Sequence, residues 1–272
     1  MTHTHIISTS VFLLSLTVLL SSSTVLAEPK DSKSLAQEIA NPLTTMVIVP
    51  IQYEYNDNIG PEDEGSRHNL FVQPIIPFEV NDEWNLITRT IVPFIDQQDI
   101  FPGAGDQSGV GDITASFFLS PVEPAGGYWI HGWGPVFQLD TASDDYLGFE
   151  ENGIGLSYVG LTVDGPKTYG FLTNHIYSAE GSLGDTYSNT FIQPFFDYTT
   201  EGAMTFELTS ESAYNWNDDQ WSIPITLTAS QYFEVGGQAL LLGGGVKYWL
   251  KSADSDPEDW SLNINLYLLF PR

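Results

Sequence analysis

The segment Trp260–Phe270 constrains this chain more than any other. Trp260, Leu262, Ile264, Leu266, Leu268 and Phe270 alternate with Ser261, Asn263, Asn265, Tyr267 and Leu269. A repeat of two assigns the two sets to opposite faces of one strand. At about 3.3 Å per residue these eleven residues reach roughly 36 Å, and a tilt of about 45° leaves a height of roughly 25 Å. That height matches the apolar band of an outer-membrane barrel, whereas strands of soluble sheets run to about half the length. The chain is therefore expected to be all-β: a transmembrane antiparallel up-and-down β-barrel.

The N-terminus supports export. Val11 to Leu20 form an apolar run closed by Val25-Leu26-Ala27, the small-residue pattern of a secretory signal peptide, although the preceding region has only His3 and His5 to carry charge. Such a run is too short to cross a bilayer as a helix. Residues 1–27 read as a cleaved leader, 28–44 as a short helical segment and 45–272 as the barrel. Beyond the leader no stretch approaches the roughly 20 apolar residues of a membrane helix, so strands must do the crossing. In the helical segment Asp31 and Ser32 can cap, Leu35, Ala36 and Ile39 share a face, and Asn41-Pro42 ends the helix. A helix at 31–40 is expected in the periplasmic mouth as a partial plug.

Composition narrows the function. The absence of cysteine rules out a disulfide scaffold, a thiolate metal site and a cysteine nucleophile. A secreted β-sandwich is the soluble alternative, but aromatics make up 13% of residues and cluster at strand ends, as a membrane girdle requires. The net charge of −27 argues against binding nucleic acid or anchoring to anionic lipid through a basic patch. No cofactor is implied.

Twelve strands are expected near 45–55, 68–79, 84–96, 111–120, 128–139, 153–163, 168–178, 187–198, 203–211, 221–233, 238–250 and 260–270. Short hairpin turns at Val80-Asn81-Asp82, Asp164-Gly165-Pro166, Thr200-Glu201-Gly202 and Gly236-Gly237 alternate with longer acidic gaps at 56–67, 97–110, 141–152 and 252–259. Short turns facing the periplasm and long loops facing outward produce that rhythm. Gly243, Gly244 and Gly245 suit a bend. Pro50, Pro74, Pro93, Pro135, Pro194 and Pro224 fall inside strand runs, where bulges would absorb the lost donors. Phe71-Val72-Gln73-Pro74-Ile75-Ile76 is echoed by Phe191-Ile192-Gln193-Pro194-Phe195-Phe196, six strands later.

The phase of alternation places Glu54, Gln73, Asn85, Arg89, Asp112, Asn174, Gln193, Glu207, Lys247, Asn263 and Asn265 in the lumen. A Lys or Arg on the lipid side at mid-membrane would cost about 2–4 kcal/mol, so Arg89 and Lys247 must look inward, near Glu54, Asp112 or Glu207. Two readings of this set stay open: a solute path with a few charges setting selectivity, or a charge-paired filling that holds the walls together.

Catalysis finds no support. A lipid-hydrolysing barrel would need His-x-Ser with an Asn partner. His131 is followed by Gly132-Trp133, His175 by Ile176-Tyr177-Ser178 and His68 by Asn69-Leu70, so each reads as a girdle or loop residue. The acidic gaps at Asp57 to Glu64 and Asp254 to Asp259 lack the spacing of a helix-loop-helix calcium site. They read as a hydrated surface, bridged loosely by divalent ions to lipopolysaccharide, that repels anions. Expected partners are outer-membrane lipid, lipopolysaccharide, the barrel-assembly machinery acting on the strand Trp260 to Phe270, and a small solute of unknown identity.

Several segments carry a family likeness. They are Asn41-Pro42 leading into a strand, Gln73-Pro74-Ile75-Ile76-Pro77-Phe78, and Trp84-Asn85-Leu86-Ile87-Thr88-Arg89-Thr90. Gly109-Val110-Gly111-Asp112-Ile113, Phe118-Leu119-Ser120-Pro121, Gly134-Pro135 and Leu268-Leu269-Phe270-Pro271-Arg272 continue it. Together they resemble the outer-membrane proteins grouped as transporters of the phenol-degradation meta pathway. The resemblance implies a barrel passing small aromatic or hydrophobic compounds. It supplies no catalytic residues and does not single out phenol.

Overall fold

The computed structural model describes residues 32–178 and 187–270; the expected leader at 1–27 lies outside the described residues. Fifteen strand segments form one antiparallel sheet that closes on itself. They make twelve wall strands, because three walls are each built from two segments in line. In chain order these are β1 (Val47–Ile59), β2 (Gly65–Val72 and Ile75–Asn81), β3 (Trp84–Gln98) and β4 (Asp106–Val110 and Ile113–Pro121). Next come β5 (Ile130–Leu139), β6 (Gly153–Asp164), β7 (Lys167–Tyr177) and β8 (Ser188–Thr199). The circuit ends with β9 (Met204–Thr209 and Ser212–Asn215), β10 (Gln220–Val235), β11 (Gln238–Lys251) and β12 (Trp260–Phe270). Each pairs with the next, and β12 returns to β1 in a register running from Val47↔Phe270 to Tyr55↔Leu262. A helix, α1 (Ser32–Ile39), precedes β1.

The first hairpins extend beyond the expected bounds. β1 and β2 leave a loop of only residues 60–64, and β3 and β4 one of 99–105. The extension is polar: Arg67 Nε donates to Gln97 Oε1 at 2.8 Å, and Gln97 Nε2 donates to Gln107 Oε1 at 3.2 Å. Such pairs prolong a ladder above the apolar band without leaving a hydrophobic trace in the sequence. At the other end Gly236 and Gly237 form a two-residue turn with φ of 61° and 83°, a geometry that side chains with a Cβ resist.

The prolines behave in three ways. Pro74 separates the segments of β2; the carbonyls of Pro93 and Pro194 accept from Gly111 N and Ser210 N, which stand at the breaks in β4 and β9. Pro224 coincides with a register shift against β11. Pro50 and Pro135 instead stay in unbroken registers with Tyr267 and Leu156, so no bulge is needed there. The glycine run on β11 is a close approach: a Cβ on Gly245 would lie 2.2 Å from the Leu227 carbonyl oxygen.

Side chains alternate as the period demands. On β12 Trp260, Leu262 and Ile264 are exposed on the outer skin, while Ser261, Asn263 and Asn265 are buried inside. Rings collect in two belts on that skin. Trp84 and Trp133 meet edge to face near the short-turn end; Tyr248 with Trp260, and Tyr214 with Trp216 and Trp221, ring the long-loop end.

The interior has its own core, built by the segment before β1. Leu35 packs with Met46, Ile48, Ala239 and Leu269, and Ala36 with Ala203 and Leu241. Seven residues later Leu43 reaches the opposite wall and joins Ile75, Ile87, Phe118, Val159, Leu161 and Leu172. Asn41 Oδ1 fixes the turn between them by accepting from Leu43 N at 2.9 Å. Lys33 pairs with Glu201, and Gln37 Nε2 donates to the Gly165 carbonyl at 2.7 Å; both partners lie in short turns. The segment therefore bridges the bore at its short-turn mouth.

Candidate functional site: the polar bore

Above this plug lies a cavity of about 510 Å³ that runs from Ala36 and Ile39 of α1 to Tyr187 beside the long loops. Its polar wall follows from strand register. Asp197, Glu207, Thr228, Gly245, Asn263, Glu54 and Asn69 are successive partners across β8, β9, β10, β11, β12, β1 and β2. One rung thus carries polar or glycine residues through seven strands, and all are inward by phase. Apolar side chains share the lining, with Ile75, Ile91, Leu172, Phe191 and Phe195 standing among Arg89, Thr114, Ser116, Gln138 and Asn174. The cavity is amphiphilic.

Lys247 is the hub of the polar side. Its ammonium pairs with Glu54 and sits 3.4 Å from Glu211 Oε2. The lysine is 5% exposed, and it lies 5.5 Å from the ring centre of Trp249. Such burial is tolerable only because both carboxylates surround it. A second network starts at Arg89, whose Nη2 donates to Gln73 Oε1 at 2.6 Å. Gln73 Nε2 donates to Gln52 Oε1, and Gln52 Nε2 to the Tyr267 hydroxyl at 3.4 Å. Hydrogen bonds therefore link β3, β2, β1 and β12 across the bore surface.

Of the residues expected in the lumen, Glu54, Gln73, Arg89, Asn174, Gln193, Glu207, Lys247, Asn263 and Asn265 line this cavity. Two do not. Asn85 lies on the short-turn side of Ile87, whose side chain belongs to the apolar core around Leu43. Asp112 stands in the break of β4, where the period of two is interrupted. Its carboxylate there accepts from Thr141 N and Ala142 N at 3.1 Å each and from Phe149 N at 2.8 Å. It anchors a loop instead of lining the path. Among the lining residues that the sequence reading did not name are Asp197, Glu211 and Gln52. Asp197 and Gln52 are in phase with Gln193 and Glu54, so counting by twos finds them, whereas Glu211 stands in the break of β9, between Thr209 and Ser212.

The loop that Asp112 holds shapes the outer mouth. Leu147 is buried, and the Phe149 ring packs 4.5 Å from that of Tyr187. Burial, with the Asp112 carboxylate nearby, pushes the Tyr187 phenol well above the usual tyrosine range. Asp112→Ala is expected to strand three backbone donors, loosening the loop by about 1–3 kcal/mol. Limited proteolysis should then cut between 140 and 152 faster than in the parent; equal rates would refute the anchor.

The histidines lie elsewhere. His68 contacts the Tyr53 hydroxyl at 2.7 Å, His175 the Thr190 hydroxyl at 2.9 Å, and His131 packs against Trp133 and Tyr158 on the outer skin. Among the described residues, no three acids or histidines converge as a metal-holding group.

No family model matches this sequence, and no curated protein matches it. Among solved structures the fold is similar to an outer membrane channel from Pseudomonas putida F1, with a TM-score of 0.67 and 14% identity over 83% of this chain and 96% of that one. The translocator domain of the autotransporter NalP from Neisseria meningitidis aligns at a TM-score of 0.46 and 10% identity, over 88% and 94% of the two chains. An anion-selective porin from Comamonas acidovorans aligns at 0.38 and 9%, over 83% and 98%. The chain has the fold of an outer-membrane β-barrel.

Proposed function

We propose that the protein resides in the outer membrane of a Gram-negative bacterium and passes small solutes passively through its bore. The observation that carries this reading is the amphiphilic cavity of about 510 Å³ between α1 and Tyr187. A bore lined by hydrogen-bonding and apolar side chains together accommodates solutes that are partly hydrophobic, as the family resemblance implies. The similarity in fold to the Pseudomonas putida channel supports transport as the role. Export with loss of residues 1–27, assembly through the strand Trp260 to Phe270, and divalent bridging of the acidic loops to lipopolysaccharide belong to the same proposal. The acidic loops bias entry against anions.

A second reading has an observation of its own. The segment before β1 contacts both walls of the short-turn mouth, which suits a barrel that conducts nothing and serves as a structural or surface protein. Planar-bilayer recording on the refolded barrel separates them. Discrete conductance steps are expected; a correctly folded but silent barrel would overturn the channel reading.

A further inference from the structure

Among the described residues two cations line the cavity, and they are served unequally. Lys247 sits between two carboxylates, Glu54 and Glu211. Arg89 has one neutral partner. Its Nη2 donates to Gln73 Oε1 at 2.6 Å, and among the described residues no carboxylate lies within ion-pair distance of it. A guanidinium carries five N–H donors. The Nε–H of Arg89 is sealed from water and has no partner at all. A buried charge without a counterion costs stability, as does a buried donor without an acceptor, and an incoming ligand can restore both.

The ground around Arg89 is apolar, with one hydroxyl. Its register partner is Ile75 on β2 and Ser116 on β4, and Ile87 and Ile91 are its inward neighbours along β3. Ile75, Ile91 and Ser116 line the cavity with it. Gln73 is held in turn by Gln52, so the guanidinium is braced from the wall side before any solute arrives. The acids of the bore are engaged or distant. Glu54 and Glu211 share Lys247, and Asp197 and Glu207 stand on β8 and β9, on the far side of a twelve-strand circuit from β3.

We propose that Arg89 is a binding site in the bore for a small carboxylate carried on a compact apolar body. This deepens the channel reading and rests on it. A carboxylate supplies the charge that no side chain gives Arg89, and its two oxygens match the fork of a guanidinium. Ser116 puts a hydroxyl donor on the adjoining strand, and the body lies against Ile75 and Ile91. A cavity of about 510 Å³ is in the range that encloses a small organic molecule. The acidic loops act on a different quantity. At physiological ionic strength exposed charges are screened over about 8 Å, so acids at the mouth slow the arrival of an anion without setting its affinity at Arg89.

The test titrates refolded full-length barrel in detergent with benzoate, its neutral counterpart benzamide, and benzylammonium, using calorimetry. Benzoate should bind at least about tenfold more tightly than benzamide, with benzylammonium weakest. Arg89→Met should weaken benzoate by about tenfold or more and leave benzamide within about twofold. Arg89→Lys keeps the charge but loses the fork, and should fall between parent and Arg89→Met. Lys251→Gln, exposed at the long-loop end of β11, should leave benzoate unchanged. Benzoate binding no tighter than benzamide, or unchanged in Arg89→Met, would overturn the proposal. An arginine that served only to brace Gln73 would alter stability and leave the benzoate-to-benzamide ratio where it was. Where Arg89→Met does not refold, the ligand series on the parent protein and on Arg89→Lys decides. Bilayer recordings keep the two readings apart. Conductance without benzoate preference in the titration sinks the site alone, and benzoate binding by a silent barrel sinks the channel alone.

Discussion

Lys247→Met is expected to destabilise the barrel by about 3–5 kcal/mol, the cost of deserting buried carboxylates. Glu54, whose side chain is 13% exposed, bears most of it; Glu211, at 38%, keeps enough water to be partly screened. Equilibrium unfolding of refolded protein in denaturant, followed by tryptophan fluorescence, reads the change. Adding Glu54→Gln to Lys247→Met should recover part of the loss, because the uncompensated charge goes with it. A Lys247→Met barrel as stable as its parent would show that the pair does not hold the β1–β11 side of the bore together.

Removing residues 32–40 is expected to enlarge the conductance step severalfold. The deletion takes away Leu35, Ala36 and Ile39 from the short-turn mouth, with the tethers from Lys33 to Glu201 and from Gln37 to Gly165. All wall strands begin after this segment, so closure between β1 and β12 survives. Single-channel recording of the deleted and parent barrels provides the comparison, and steps of unchanged size would refute a plugging role for α1.

Most of the wall was legible in the sequence for one physical reason. A strand with lipid-like surroundings on one side and polar space on the other must alternate, and β12 does so from Trp260 to Leu266, before the inward Leu269 meets the apolar plug. Turn chemistry did the rest: Asp164-Gly165-Pro166 and Gly236-Gly237 admit little but tight hairpins. Legibility failed where alternation fails. Asp112 was assigned to the lumen by the phase of alternation, but β4 is broken there and the carboxylate turns to backbone donors of the next loop. Asn85 obeys the count, but the count gives only the face and not the height. The apolar filling around Leu43 keeps Asn85 off the cavity, and only folding brings Leu43 to Ile87. The polar extensions at Arg67, Gln97 and Gln107 hold strands together by side-chain amides, which composition reads as loop. The pairing of Lys247 with Glu211 depends on β9 resuming after its break, a detail no local pattern encodes.

The seam between β1 and β12 has a consequence for biogenesis. Until Val47 finds Phe270, the sheet is a ribbon with two unsatisfied margins more than two hundred residues apart in sequence. Each margin is a template for adhesion to any neighbour with bare amides. Joining Val47 to Phe270 removes both margins at once, so the wall cannot be completed before its last strand is in place.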